Sequence, residues 1–123
     1  MYSEKNILIV DDFPPMRRIV KTILKKLGLE NVEEANDGRE ALIMLKEGQY
    51  DLILSDCNMP NMCGLELLKC LKENEELKNI PFVVMTAKEQ EENMVEMAMA
   101  GMSDYIVKPF SPEALREKLE KLL

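Results

Sequence analysis

Short apolar runs alternate along this chain with longer stretches whose apolar residues return every three or four positions. The runs at 6–10, 32–35, 51–55, 82–85 and 105–107 predict five strands. Between them, Met16, Ile19, Val20, Ile23, Leu24 and Leu27 fall at helical spacing, with Gly28 as the stop. Ala41, Leu42 and Leu45 repeat the pattern before Gly48, and Leu65, Leu67, Leu68 and Leu71 before Asn74. A fourth helix is expected from Glu91 to Ala100, ending at Gly101. Ser111 and Pro112 read as N-cap and first residue of a fifth, with Leu115, Leu119 and Leu122 on its apolar face.

Strands and helices alternating at this spacing imply a mostly parallel sheet covered by helices on both faces, an α/β doubly wound architecture. The first, third and fourth strand runs are almost continuously apolar, as strands buried on both sides must be. Glu33 and Glu34 mark the strand at 32–35 as a sheet edge. No linker, repeat or low-complexity tract interrupts the 123 residues, so residues 1–123 are expected to form one domain.

Composition removes several chemistries. The chain has no histidine, so histidine-based acid–base catalysis and Ser-His-Asp or Cys-His nucleophiles are excluded. Three cysteines, Cys57, Cys63 and Cys70, fit neither a CxxC metal site nor a closed disulfide framework. A net charge of −7 argues against nucleic acid as partner. No stretch approaches the length of a membrane span, and the first residues lack a signal-peptide core; a cytoplasmic location is expected.

In a sheet of this kind ligands bind beyond the carboxyl ends of the strands. Asp11 and Asp12 follow the first strand run, Asp56 the third, Thr86 the fourth and Lys108 the fifth. Taken singly, each has a bland role: Asp11, Asp12 and Thr86 as caps, Asp56 as a turn residue, Lys108 as a solvated charge. Together they put three carboxylates, a hydroxyl and an ammonium on one face. Three carboxylates in one cleft repel unless a cation neutralises them. An all-oxygen ligand set without Cys or His suits Mg²⁺, which leaves coordination open for a phosphoryl oxygen. A carboxylate can be the nucleophile, forming an aspartyl-phosphate, and a metal and a lysine neutralise the charge of that transfer.

These positions, Asp11-Asp12, Asp56, Thr86-Ala87 and Lys108-Pro109-Phe110, resemble the signature of the response-regulator receiver domain across essentially the whole chain. Asp11-Asp12-Phe13, the Met16–Val20 and Asn31–Ala35 segments, Asn58-Met59-Pro60-Asn61-Met62 and Gly64–Lys69 are similar to its chemotaxis branch in particular. The resemblance implies the flavodoxin-like (βα)5 fold, a five-stranded parallel sheet in the order 2-1-3-4-5. It implies a phosphorylation-dependent switch of a two-component system, not a conventional enzyme, with slow self-dephosphorylation. Asp56 takes a phosphoryl group from the phosphohistidine of a sensor histidine kinase (CheA-like) or from a small acyl phosphate. Asp12 and Asp56 bind Mg²⁺ directly with the Asn58 backbone carbonyl, and Asp11 acts through metal-bound water. Lys108 pairs with phosphoryl oxygens, Thr86 turns its hydroxyl towards them, and the Lys108–Pro109 bond is cis. Tyr105 resembles the aromatic switch that moves inward with Thr86. The 91–100 helix, the strand at 104–108 and the last helix then form the output face, with the flagellar motor switch as a candidate partner and a monomer as the expected state. Met94, Met97 and Met99 either soften that face or fill the core.

Some residues depart from the family pattern. Pro14-Pro15 stiffens the helix start after the acidic pair without disturbing the metal site. Cys57 follows the acceptor and Cys63 takes an often acidic position; both read as small fillers, with a redox input as the sharper alternative. Lys88, two residues past Thr86, replaces an acid and with Asn58 tunes dephosphorylation. Gln90 and Glu91 replace a basic pair and make the output surface more acidic, which weakens transfer of the motor partner. Two other functions stay in view. An aspartyl-nucleophile phosphatase of the haloacid dehalogenase type wants a second acid where Asn58 stands, and a flavin carrier wants a glycine-rich loop where Asp11–Pro15 stands. The chain reads as a stand-alone regulator, with a receiver domain cut from a larger one as the alternative.

Overall fold

The computed structural model describes residues 4–123, which alternate strand and helix from end to end. The strands are β1 (Asn6–Val10), β2 (Asn31–Ala35), β3 (Leu52–Asp56), β4 (Phe82–Ala87) and β5 (Asp104–Lys108). The helices are α1 (Pro14–Lys26), α2 (Gly38–Glu47), α3 (Gly64–Lys72), α4 (Met94–Met99) and α5 (Pro112–Glu120), with a 3₁₀ segment at Lys88–Asn93 leading into α4. All strand pairs are parallel, and their order is β2-β1-β3-β4-β5. The order expected from the resemblance is found, and β2 is an edge as its two glutamates suggested.

Strand alternation divides the core in two. Leu8, Val10, Ile53 and Val84 point to the side where Ala41, Leu45, Leu67, Leu68, Met94 and Met97 pack from α2, α3 and α4. Ile7, Ile9, Leu52, Leu54, Val83 and Met85 point to the other, under Val20, Ile23, Leu24, Leu115 and Leu119 of α1 and α5. β1, β3 and β4 are buried on both faces, which is why their sequences read as unbroken apolar runs.

Several boundaries differ from the sequence expectation by a residue or more. The third strand begins one residue later because Asp51 is used as a clamp: its N–H donates to the Asn6 carbonyl at 2.7 Å and its carboxylate accepts from the Asn6 N–H at 2.8 Å. The strands β3, β4 and β5 extend to include Asp56, Thr86 and Lys108: Asp56 and Lys108 are the last residues of their strands, and Thr86 is the last but one before Ala87. The helix expected from Glu91 is α-helical only from Met94, because Lys88–Asn93 winds as 3₁₀. That stretch, KEQEEN, buries no residue, so no apolar face holds it in α geometry. Met94 and Met97 are core residues, whereas Met99 is 85% exposed.

Candidate functional site

The site lies at the carboxyl ends of β1, β3, β4 and β5. Their places in the sheet bring residues 11, 56, 86 and 108 together from distant parts of the chain. Carboxylate oxygens of Asp11, Asp12 and Asp56 lie within 4.8 Å of one another. Asp11 is buried, Asp56 half-buried and Asp12 exposed, so the cluster opens to solvent on the Asp12 side. Asp11 is held on three sides. Its Oδ1 accepts from the Phe13 N–H at 3.0 Å, its N–H reaches the Ala35 carbonyl, and its carbonyl accepts from Arg17 Nη1 at 2.6 Å. Arg17 is steadied in turn by Glu34 at 3.0 Å. The Asp11 Oδ2 is buried without a hydrogen bond.

Lys108 is the cation of the cleft. Its Nζ donates to Asp56 Oδ1 at 3.0 Å and stands 3.6 Å from Asp11 Oδ2. Burial pushes the Asp56 carboxyl above its ordinary range, and neighbouring Asp11 adds to this; Lys108 pulls the other way without cancelling it. Burial alone would lower the Lys108 ammonium, but Asp56 and Asp11 outweigh it and raise it. One lysine among three carboxylates therefore leaves negative charge uncompensated. Lys108–Pro109 is cis, as expected.

Thr86 is fully buried. Its hydroxyl lies 3.7 Å from the Cys57 sulfur and donates to the Ala87 carbonyl at 3.3 Å. Asn58 is exposed and its side-chain amide donates to Gln90 Oε1 at 2.6 Å. Lys88 is exposed at the start of the 3₁₀ segment. Tyr105 lies on β5 outside the acidic cluster, its hydroxyl on Glu91 at 3.0 Å and its ring 5.8 Å from Lys118 Nζ. Burial raises the Cys57 thiol, which favours the protonated form of a small core-like filler, and Cys63 caps the start of α3. Two contributors escaped the sequence reading. Arg17 has the pattern of an ordinary polar helix residue, and Gln90 was assigned to the outer surface with Glu91.

An under-neutralised carboxylate cluster with one lysine thus stands at the carboxyl ends of the strands of a parallel 2-1-3-4-5 sheet. The chain belongs to the response regulator receiver domain family, whose pattern matches residues 7–120. It is therefore a two-component signalling module of a family of phosphorylation switches, and its relatives include chemotaxis regulators. It is 52% identical to chemotaxis protein CheY-3 of Vibrio cholerae over 116 residues, 94% of this chain and 89% of that protein. Its fold is similar to solved Vibrio cholerae CheY4, with a TM-score of 0.88 at 37% identity over 97% of this chain and 98% of that one. It is also similar to the receiver domain of a Pseudomonas aeruginosa sensor histidine kinase, solved with a magnesium ion in its active-site cleft. The TM-score there is 0.87 and the identity 29%, over 96% of each chain.

Proposed function

We propose that the chain is one receiver unit in which Asp56 accepts a phosphoryl group in the presence of Mg²⁺. The observation that carries this is the Asp56 carboxylate, bonded to Lys108 Nζ at 3.0 Å inside a cluster of three acids. The donor set fits a hard cation. It is all oxygen, it carries excess negative charge, and Asp11 Oδ2 is a buried acceptor with no hydrogen bond. Asp12, Asp56 and the Asn58 carbonyl would hold Mg²⁺ with Asp11 behind them, and the ion would neutralise carboxylate and phosphoryl charge together. The magnesium reported for the Pseudomonas aeruginosa receiver supports this.

In the transfer, a carboxylate oxygen of Asp56 forms the new bond to phosphorus. The P–N bond of a kinase phosphohistidine, or the P–O bond of an acyl phosphate, breaks, and its electron pair leaves with the donor. Lys108 meets the incoming oxygens, and Thr86 supplies a hydroxyl once it turns from Cys57 and Ala87. Asn58 and Lys88 flank the site and tune the hydrolysis by which the module resets itself. A signal then leaves by the face of Tyr105, α4 and α5. The Tyr105–Glu91 bond and the Lys118–Asp104 pair at 3.1 Å already link its elements.

A CheA-like histidine kinase suits the input, since the relatives are chemotaxis proteins. A flagellar motor switch is the output candidate, although the acidity that Glu89, Glu91, Glu92 and Glu96 give this surface weighs against a direct transfer of that partner. No helix of the described residues is long and apolar enough to cross a membrane. Three free thiols suit a reducing cytoplasm.

Incubation with Mg²⁺ and a small acyl phosphate, followed by intact mass, tests the central reading. One phosphate adduct is expected on the wild type, none on Asp56→Asn, and none after chelation of Mg²⁺. An adduct that survives Asp56→Asn would place the chemistry elsewhere.

A further inference from the structure

Gln90 belongs to a 3₁₀ segment that faces outward, yet its side chain reaches back over the cleft. Its Oε1 accepts from Asn58 Nδ2 at 2.6 Å and from Cys57 Sγ at 3.3 Å. Cys57 Sγ also lies 3.7 Å from the Thr86 hydroxyl. A thiol has a single proton to give, and the shorter contact is to Gln90. One amide oxygen thus ties the loop after Asp56 to the segment after Thr86. On the other side, Glu91 accepts from the Tyr105 hydroxyl at 3.0 Å. The segment Lys88–Asn93, which buries no residue of its own, is fixed by these two side chains rather than by a core.

We propose that Gln90 is a positioning residue that clasps Asn58 and holds Lys88–Asn93 in its resting arrangement, opposing capture of a phosphoryl group at Asp56. This rests on the reading of Asp56 as acceptor. A phosphoryl group there adds three acceptor oxygens beside Asn58 and Thr86. Drawing the Thr86 hydroxyl to those oxygens takes it from Cys57 and moves the segment that carries Gln90. The Asn58 amide N–H group that Gln90 occupies is a side-chain donor on the β3 side of the cleft mouth. The state that keeps the clasp therefore forgoes phosphoryl contacts, and the state that makes them loses the clasp. A bond present in only one of two states shifts their balance by its own differential contribution.

The test uses the full chain with Mg²⁺ and beryllofluoride as phosphoryl mimic, its affinity measured by isothermal titration. Gln90→Ala is expected to bind about fivefold tighter, the scale of one net hydrogen bond. Gln90→Met, which keeps length but has no acceptor oxygen, is expected to match Gln90→Ala. Glu92→Ala, an exposed neighbour on the same segment, serves as control and should match wild type. Because Gln90 acts through Asn58, its removal in an Asn58→Ala background should change affinity by less than about twofold. Unchanged or weaker binding in Gln90→Ala, wild-type behaviour in Gln90→Met, or an undiminished effect in the Asn58→Ala background would each overturn the clasp. If wild type itself binds no beryllofluoride and gains no Asp56-dependent phosphate, the acceptor reading falls and the clasp with it. If wild type binds and the Gln90 variants do not differ from Glu92→Ala, the clasp alone falls.

Discussion

A methyl group added at Gly64 would stand 2.6 Å from the Asp56 carbonyl oxygen and 3.1 Å from Cys57 Cα. Both neighbours are backbone, so neither can swing aside, and the loop carrying the acceptor would have to move. Gly64→Ala should cost about 1–3 kcal/mol in urea unfolding and slow phosphate uptake at Asp56. The same loop makes Cys57 quiet. A buried thiol held above its ordinary range is mostly protonated at neutral pH, so a thiol reagent should label Cys57 more slowly than the half-buried Cys63 and Cys70. Rapid labelling of Cys57 would revive a redox input. At this scale Asp11, Asp12, Asp56, Thr86 and Lys108 were legible because the topology delivers strand ends to one place. Gln90 was not, since its reach depends on a 3₁₀ turn and on where the Asn58 side chain points. Neither leaves a periodic mark in the sequence.

Among the elements, α2 is begun by Asp37, whose side chain accepts from the Glu40 N–H at 2.9 Å and from Asn61 Nδ2 at 2.7 Å. Those bonds, the Glu40 N–H first, hold the Asp37 carboxyl below its ordinary range. The cap's contribution is therefore present above the unfolded carboxyl value of about 3.9 and is lost as pH falls through the lower folded value. Asp37→Ala should cost about 1 kcal/mol at pH 7, and the difference from wild type should shrink in acid, as read by urea midpoints across pH. Strands and long helices were readable from period alone, within a residue or two. The fourth helix was not, because apolar positions at Met94 and Met97 fix only its second half. Its first half is tied instead by side chains to the loop after β3 and to β5.

For the molecule as a whole, uncompensated charge at the cleft couples ion binding to stability. A cation that binds the folded cluster and not the unfolded chain stabilises by about 2.7 kcal/mol at a hundredfold excess over its dissociation constant. Mg²⁺ should raise the thermal midpoint of wild type, and Asp12→Asn should abolish most of that rise; an equal rise in both would move the ion elsewhere. The edge of the sheet carries a different consequence of charge. An edge strand offers unpaired N–H and C=O groups to any other strand that arrives. β2 meets the visitor with Glu33 and Glu34, the latter braced by Arg17 at 3.0 Å and Lys21 at 3.6 Å. Another copy's β2 would bring the same acids against them. The two glutamates that mark the edge in the sequence thus also disfavour pairing of one copy's β2 with another's, as charged side chains on a sheet edge do.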